Sequence, residues 1–211
     1  GIYKNVKIAG YTPIERIWSV YKNSDIGSEL IQPTGIQPID TISSKYSAIS
    51  VDKIKKGRLF LIPPYCNSKL LNLEEKCKNK GINVHCDSFN GRNDMELCDG
   101  VILLPYAWSI FALYEALSVG TAYIAPTERF MKELMNIPGY FFTNPSFLLE
   151  DMKTCEIWND YMRDVIIYFD NWEELFRILT EYDFTQKRKE IKNWSLKHIN
   201  STILKWKKFI E

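Results

Sequence analysis

The 211-residue sequence has no apolar run near the ~18 residues that would cross a bilayer. Its longest, residues 101–106 and 110–117, are short and interrupted by Trp108 and Ser109. No basic segment followed by an apolar one opens the chain, so no leader peptide is expected. Charge of one sign is not in excess: 27 basic residues against 26 acidic leave +1. No overall field therefore draws nucleic acid or an anionic surface, and neither a nucleic-acid partner nor a membrane span is expected. The five cysteines (Cys66, Cys77, Cys86, Cys98, Cys155) form no C-x-x-C pair, and His85 and His198 are the only histidines. A disulfide framework or metal site is thus unsupported, and reduced thiols in a cytoplasmic protein are the expectation. The G-x-G-x-x-G and D-x-D signatures are also missing, so no dinucleotide fingerprint or paired-aspartate site is predicted.

What is present is a globular composition, 45% hydrophobic and 14% aromatic, too apolar for a disordered chain. At ~150 residues per domain the length corresponds to roughly 1.4 domains. The first residue is Gly1, and the chain is expected to be a piece of a longer polypeptide. The richness in Lys, Ile and Asn is that of an AT-biased coding sequence, such as a large DNA virus carries.

Strand and helix patterns alternate along the chain. A strand at 6–10 ends in Gly10, and Thr12 and Pro13 then start a helix over 14–21. Residues 23–52 read as an irregular insertion with a short strand near 47–51. Apolar strands follow at 58–62, 82–86, 100–104 and 121–125. Between them lie a helix from Asn67 or Ser68 to about Gly81, with Leu70, Leu73 and Cys77 on one face, a short helix at 95–98, and a helix from Ser109 to Val119 stopped by Gly120. Near-continuous apolar strands alternating with helices predict a doubly wound parallel sheet, an α/β Rossmann-like domain over 1–145. Residues 146–211 read as a helical C-terminal tail packing on it. One helix starts at Asn171; another spans 186–209 with an apolar stripe of Leu196, Ile199, Ile203, Trp206 and Ile210.

Open α/β sheets bind ligands beyond the carboxyl ends of their strands, which confines a site to the loops at 10–13, 63–67, 86–92 and 105–109. The last loop is the richest. Tyr106, Trp108, Ser109, Ile110 and Phe111 surround a helix N-terminus whose amides and dipole would hold a phosphate or diphosphate; Ser109 would serve equally as a plain N-cap. Ile110, Leu113, Tyr114 and Leu117 form the buried stripe of that helix. Glu115 lies off it, the only charge between Pro105 and Pro126. Such a carboxylate suits the hydroxyls of a ribose, a nucleophile or base, or simple solvation. Gly10, followed by Tyr11 and Thr12, ends the first strand where a phosphate would approach the backbone. Arg16, a turn further on, would reach a diphosphate or lie in solvent. Tyr65 and Phe89 offer rings to a base or to the core. His85 falls inside a strand and reads as structural, and Lys187–Lys189 as a solvated face.

From about Arg58 onward the order of elements resembles the C-terminal, nucleotide-sugar-binding domain of GT-B-fold glycosyltransferases. Residues 99–126, Asp-Gly-Val-Ile-Leu-Leu-Pro-Tyr-Ala-Trp-Ser-Ile-Phe-Ala-Leu-Tyr-Glu-Ala-Leu-Ser-Val-Gly-Thr-Ala-Tyr-Ile-Ala-Pro, look like that family's strand, loop, helix ending in Glu-Ala, glycine and strand. The Asp170-Asn-Trp-Glu-Glu-Leu and Arg188-Lys-Glu-Ile-Lys-Asn-Trp segments are similar too. The resemblance implies transfer of a sugar from a UDP- or GDP-linked donor to a glycan or other hydroxyl acceptor. Glu115 would hold the donor ribose, the helix N-terminus and Arg16 the diphosphate, with no metal and no resident cofactor. Either further domains of the same polypeptide would complete the enzyme, or the 23–52 insertion and the Trp-rich tail would build the acceptor side themselves. The sequence departs from the family in two places. Ala107 stands where many members carry an earlier glutamate, and Trp108-Ser109-Ile110 replaces a glycine-rich approach. Ile8-Ala-Gly10, Asp99-Gly-Val-Ile and the Glu-Ala-Leu-x-x-Gly at Glu115 also look somewhat like nucleoside deoxyribosyltransferases, in which Glu115 would be the nucleophile. The Asp-x-Gly-Thr of that family is missing. A non-catalytic nucleotide-sugar-binding module is the third reading.

Overall fold

The computed structural model describes residues 9–10, 29–35, 47–143 and 152–211. A two-stranded parallel pair comes first, β1 (Ala9–Gly10) with β2 (Glu29–Leu30). Helix α1 (Val51–Lys55) leads into β3 (Phe60–Leu61), α2 (Cys66–Leu70), α3 (Leu73–Asn79) and β4 (Val84–His85). Then come α4 (Gly91–Glu96), β5 (Gly100–Ile102), α5 (Phe111–Val119), β6 (Ala122–Pro126) and α6 (Glu128–Met135). Three short 3-10 turns between Met152 and Met162 precede β7 (Ile166–Phe169), α7 (Trp172–Glu181) and α8 (Phe184–Ile210). The main sheet has the order β4-β3-β5-β6-β7, every pair parallel. It is the doubly wound, Rossmann-like α/β sheet that the apolar strands predicted. Residues 59–62, 101–104 and 122–125 are all buried, as strands covered on both faces must be. The chain runs from β3 out to the β4 edge and returns past β3 to β5, so the strand order reverses between β3 and β5. That is the topological switch point.

Several elements differ from the sequence reading, each for a local reason. The helix expected from residue 67 to 81 breaks into α2 and α3 at Asn72, which takes a left-handed φ of 50°. Leu71 and Leu73 both reach the core while Leu70 is exposed. One continuous helix would put residues two apart on different faces, and the break resolves this. The strand expected near 47–51 is a bend running into α1. Ser47 Oγ accepts from the Ile49 amide (2.9 Å), and the Ala48 amide donates to Asp94 Oδ2 (3.1 Å) instead of to a strand. The helix expected at 95–98 lies earlier, at α4. Residues 166–169, inside the segment read as a helical tail, are the strand β7 and extend the sheet beyond β6.

The last helix buries a different face from the one read. Ile191, Ser195 and Thr202 are buried, with Trp194 and His198 partly so, while Leu196, Ile203, Trp206 and Ile210 are exposed. The reason is the polar partnership available to the buried face: His198 Nε2 donates to the Pro33 carbonyl (2.8 Å), and its ring stacks on Trp194 and Tyr114. Gly120 has φ 84° and a second constraint besides ending α5. A Cβ there would sit 2.7 Å from the Lys192 side chain, so α8 crosses α5 at a point where only glycine fits.

Candidate functional site

The switch point lies between the loops leaving β3 and β5. Tyr65 and Tyr106 meet there with ring centroids 4.4 Å apart. Burial, and then a hydrogen bond with Tyr65, pushes the Tyr106 phenol well above its ordinary pKa. Asn67, read as a helix cap, is instead a fully buried clamp. Its Nδ2 donates to the Pro105 carbonyl (3.2 Å) and the Phe141 carbonyl (2.8 Å), and its Oδ1 accepts from the Phe141 amide (2.9 Å). Tyr140 OH donates to the Pro105 carbonyl (3.0 Å), the Thr143 amide to the Tyr106 carbonyl (2.9 Å), and Trp108 Nε1 to the Thr143 carbonyl (2.8 Å). Residues 140–143 thus bind the β5–α5 loop along its length, and Trp108 is part of this packing, edge-on to Phe142.

The N-terminus of α5 has an internal partner. Glu156, buried completely, accepts from the Ile110 amide at Oε2 (3.1 Å) and from Tyr114 OH at Oε1 (2.6 Å). Tyr161 OH donates in turn to Tyr114 (2.6 Å), and the Gln32 side chain bonds to Tyr161. Burial first, then the Glu156 and Tyr161 neighbours, drives the Tyr114 phenol far up. A carboxylate on the N-cap amide of a helix matches the partial positive charge there, so the Ile110 N–H serves the fold.

Glu115 lies half-buried on the outer side of α5, in line with the exposed Phe111 and with Ser118. Residues 31–35 run beside it as a strap held between α5 and α8. Ser118 Oγ donates to the Gly35 carbonyl (3.2 Å). Gly35, at φ 73°, comes so close that a Cβ would lie 2.0 Å from the Tyr114 carbonyl oxygen. The Tyr123 phenol, in the middle of β6, is held well above its ordinary pKa by burial and then by the negative forms of Tyr65, Tyr106, Glu115 and Glu156.

The remaining sequence candidates are more scattered. Ser109 and Phe89 are half-buried, and Phe89 packs on the core. Gly10 lies in β1, and Tyr11, Thr12 and Arg16 lie outside the described residues. His85 is structural, its Nε2 donating to the Ser88 carbonyl (3.0 Å). Sequence reasoning missed Gly35, Asn67, Tyr123 and Glu156. Gly35 stood inside a Pro-Thr-Gly loop signal, but the others carry no local pattern. A separate cleft of about 440 Å³ opens beside α2 and α3, lined by Ser68, Lys69, Asn72, Glu74, Glu75 and Lys78. It includes none of the candidate residues, and its mixed charges favour no ligand of one sign. No group of His, Cys, Asp and Glu able to hold a metal occurs among the described residues.

The sheet order and its covering helices define a Rossmann-like α/β protein. No protein-family model matches the chain, and comparison with curated proteins and with solved structures finds no match.

Proposed function

We propose that this chain binds a nucleoside-diphosphate sugar and is the donor-binding domain of a glycosyltransferase of GT-B type, acting on a glycan or other hydroxyl acceptor. The observation that supports this most is the setting of Glu115. It is the one ionisable side chain on α5 outside the core tyrosine, half-buried where the Gly35 strap closes on the helix. A carboxylate so placed accepts hydrogen bonds from the two hydroxyls of a ribose. Tyr65 and Tyr106 offer aromatic surface to the nucleobase, and Ser109 and Phe111 border the diphosphate. Transfer then breaks the bond between the anomeric carbon and the diphosphate oxygen, which leaves with the bonding pair, while the acceptor hydroxyl oxygen forms the new bond and releases its proton to the departing diphosphate or to water. Arg16 is assigned to the charge that develops on the departing diphosphate.

One observation favours a second reading. Because Glu156 already takes the Ile110 amide, the helix end attracts phosphate less than an uncapped one would. That suits a ligand without a diphosphate, as in nucleoside deoxyribosyl transfer. There Glu115 would attack the anomeric carbon, the base would leave with the bonding pair, and an incoming base would displace the carboxylate.

Thermal-shift and calorimetric titration with UDP, GDP, their sugar conjugates and free deoxynucleosides separates the readings. Stabilisation by a nucleoside diphosphate that Glu115→Ala abolishes is the expected result. Stabilisation by deoxynucleosides alone, with base exchange, establishes the second reading. Diphosphate binding with no sugar transfer or donor hydrolysis leaves a binding module.

A further inference from the structure

The chain's near-zero net charge conceals a segregated patch. From residue 191 to residue 210 there are five lysines (Lys192, Lys197, Lys205, Lys207, Lys208) and no acidic residue. All twenty positions lie on α8. Among the described residues no ion pair involves Lys197, Lys207 or Lys208. The same stretch exposes large apolar side chains: Leu196 by 62%, Ile203 by 42%, Trp206 by 42% and Ile210 by 76%, with Leu204 (64%) apart from them on the lysine side. With half-buried Ile199 the first four recur at spacings of three and four, so they form one stripe along the helix. The helix is anchored to the protein by a different face, through Ile191, Ser195, His198 and Thr202. The apolar stripe is therefore presented outward, with Lys207 and, further round, Lys197 and Lys208 on its free side.

We propose that the distal half of α8 docks on an anionic lipid surface, lying in the plane of the headgroups. An interfacial helix needs an apolar stripe that enters the acyl boundary, cations that meet lipid phosphate, and modest overall hydrophobicity. Residues 196–210 have all three, and Trp206 supplies the amphipathic ring favoured at that depth. The charge pattern selects this occupant over two others. Two copies packed stripe to stripe would cover the apolar residues but leave Lys197 and Lys208, further round the helix, without a countercharge. A nucleic acid would answer the lysines but leave Leu196, Ile203 and Ile210 in water. No helix among the described residues is long and apolar enough to cross a membrane, so the contact is peripheral.

The test is co-sedimentation with vesicles of phosphatidylcholine alone, and with vesicles in which about one third is phosphatidylserine. Binding to the anionic vesicles only, weakened by salt, is expected. The double variant Ile203→Ser with Trp206→Ser should lower the partition coefficient by at least about tenfold. Lys207→Glu with Lys208→Glu should abolish the preference for phosphatidylserine. All four side chains are exposed, and unchanged melting curves would confirm that the variants fold. No sedimentation with either vesicle overturns the proposal. So does a concentration-dependent dimer in light scattering that the serine variant dissolves, or binding to a random oligonucleotide that survives the serine variant.

Discussion

Glu156 is the residue on which both the fold and the site turn. It has no exposed surface, and both of its oxygens accept from groups buried with it. Replacing it by alanine strands the Ile110 amide and the Tyr114 hydroxyl, each at about 1–3 kcal/mol. The Glu156→Ala protein is therefore expected to lose roughly 2–5 kcal/mol in urea unfolding, whereas Tyr114→Phe, which removes one donor and leaves the amide bond, should lose about 1–2 kcal/mol. Gly35 tests the strap. Gly35→Ala meets both the left-handed φ and the Tyr114 carbonyl, so the strap must move off α5. On the proposed function, stabilisation by nucleotide should then fall as expected for Glu115→Ala, with the sheet still folded by far-ultraviolet dichroism.

His198 sets a pH dependence. Burial, the dominant cause, holds its pKa below the ordinary 6.5, although the bond to the Pro33 carbonyl works the other way and Lys205 adds to the lowering. Above about pH 6.5 the ring is neutral both folded and unfolded, and its contribution is intact. As pH falls below that value the unfolded chain takes up the proton first, so stability drops until the folded ring also protonates. Melting curves between pH 7.5 and 5 should show this loss, and His198→Phe should flatten it.

At the scale of elements, legibility followed periodicity. Residues 101–104 and 122–125 contain nothing polar that needs an exposed partner, so buried parallel strands were readable in them without any tertiary knowledge. The α5 stripe of Ile110, Leu113, Tyr114 and Leu117 was readable for the same reason, and all four are buried. Periodicity failed where another partner intervened. In α8 the apolar stripe was read as the buried face, but His198 and Trp194 found Pro33 and Tyr114, and the helix rolled to satisfy them. Asn72 broke a helix that the spacing of Leu70, Leu73 and Cys77 made continuous. Because Asn72 is held at φ 50°, Asn72→Ala should cost about 1 kcal/mol while Asn72→Gly should be neutral or slightly stabilising in chemical denaturation. Of the candidate site, Tyr65, Tyr106 and Glu115 were legible because loops and off-stripe charges announce themselves. Glu156 was not, because its role depends on a chain reversal about forty-six residues away from Ile110.

At the scale of the whole molecule, the sheet is completed only late in the chain. β7 covers the flank of β6, Trp158 Nε1 donates to the Pro126 carbonyl (2.9 Å), and Arg188 donates to the carbonyls of Glu96 and Cys98. A chain stopped at residue 151 would leave β6 as an open apolar edge and the α5 amide without its carboxylate. Such a truncation is expected to aggregate or to unfold without a cooperative transition, as heat-capacity scans would report.

Helix α8 has a mechanical consequence. Its 27 residues form one unbroken rod about 40 Å long. Near its start it grips the β5 end of the sheet through Arg188, and at mid-length it grips the strap through His198. Buried Thr202 and the Lys205 bond to Gln32 (3.5 Å) extend that hold into the distal half, so the rod and the strap move as one body. A load on its distal arm tilts His198 and shifts the Pro33 carbonyl and, through the strap, the backbone beside Glu115. Were both proposed ligands to bind, any coupling carried by this contact would be reciprocal, each changing the affinity of the other by the same factor.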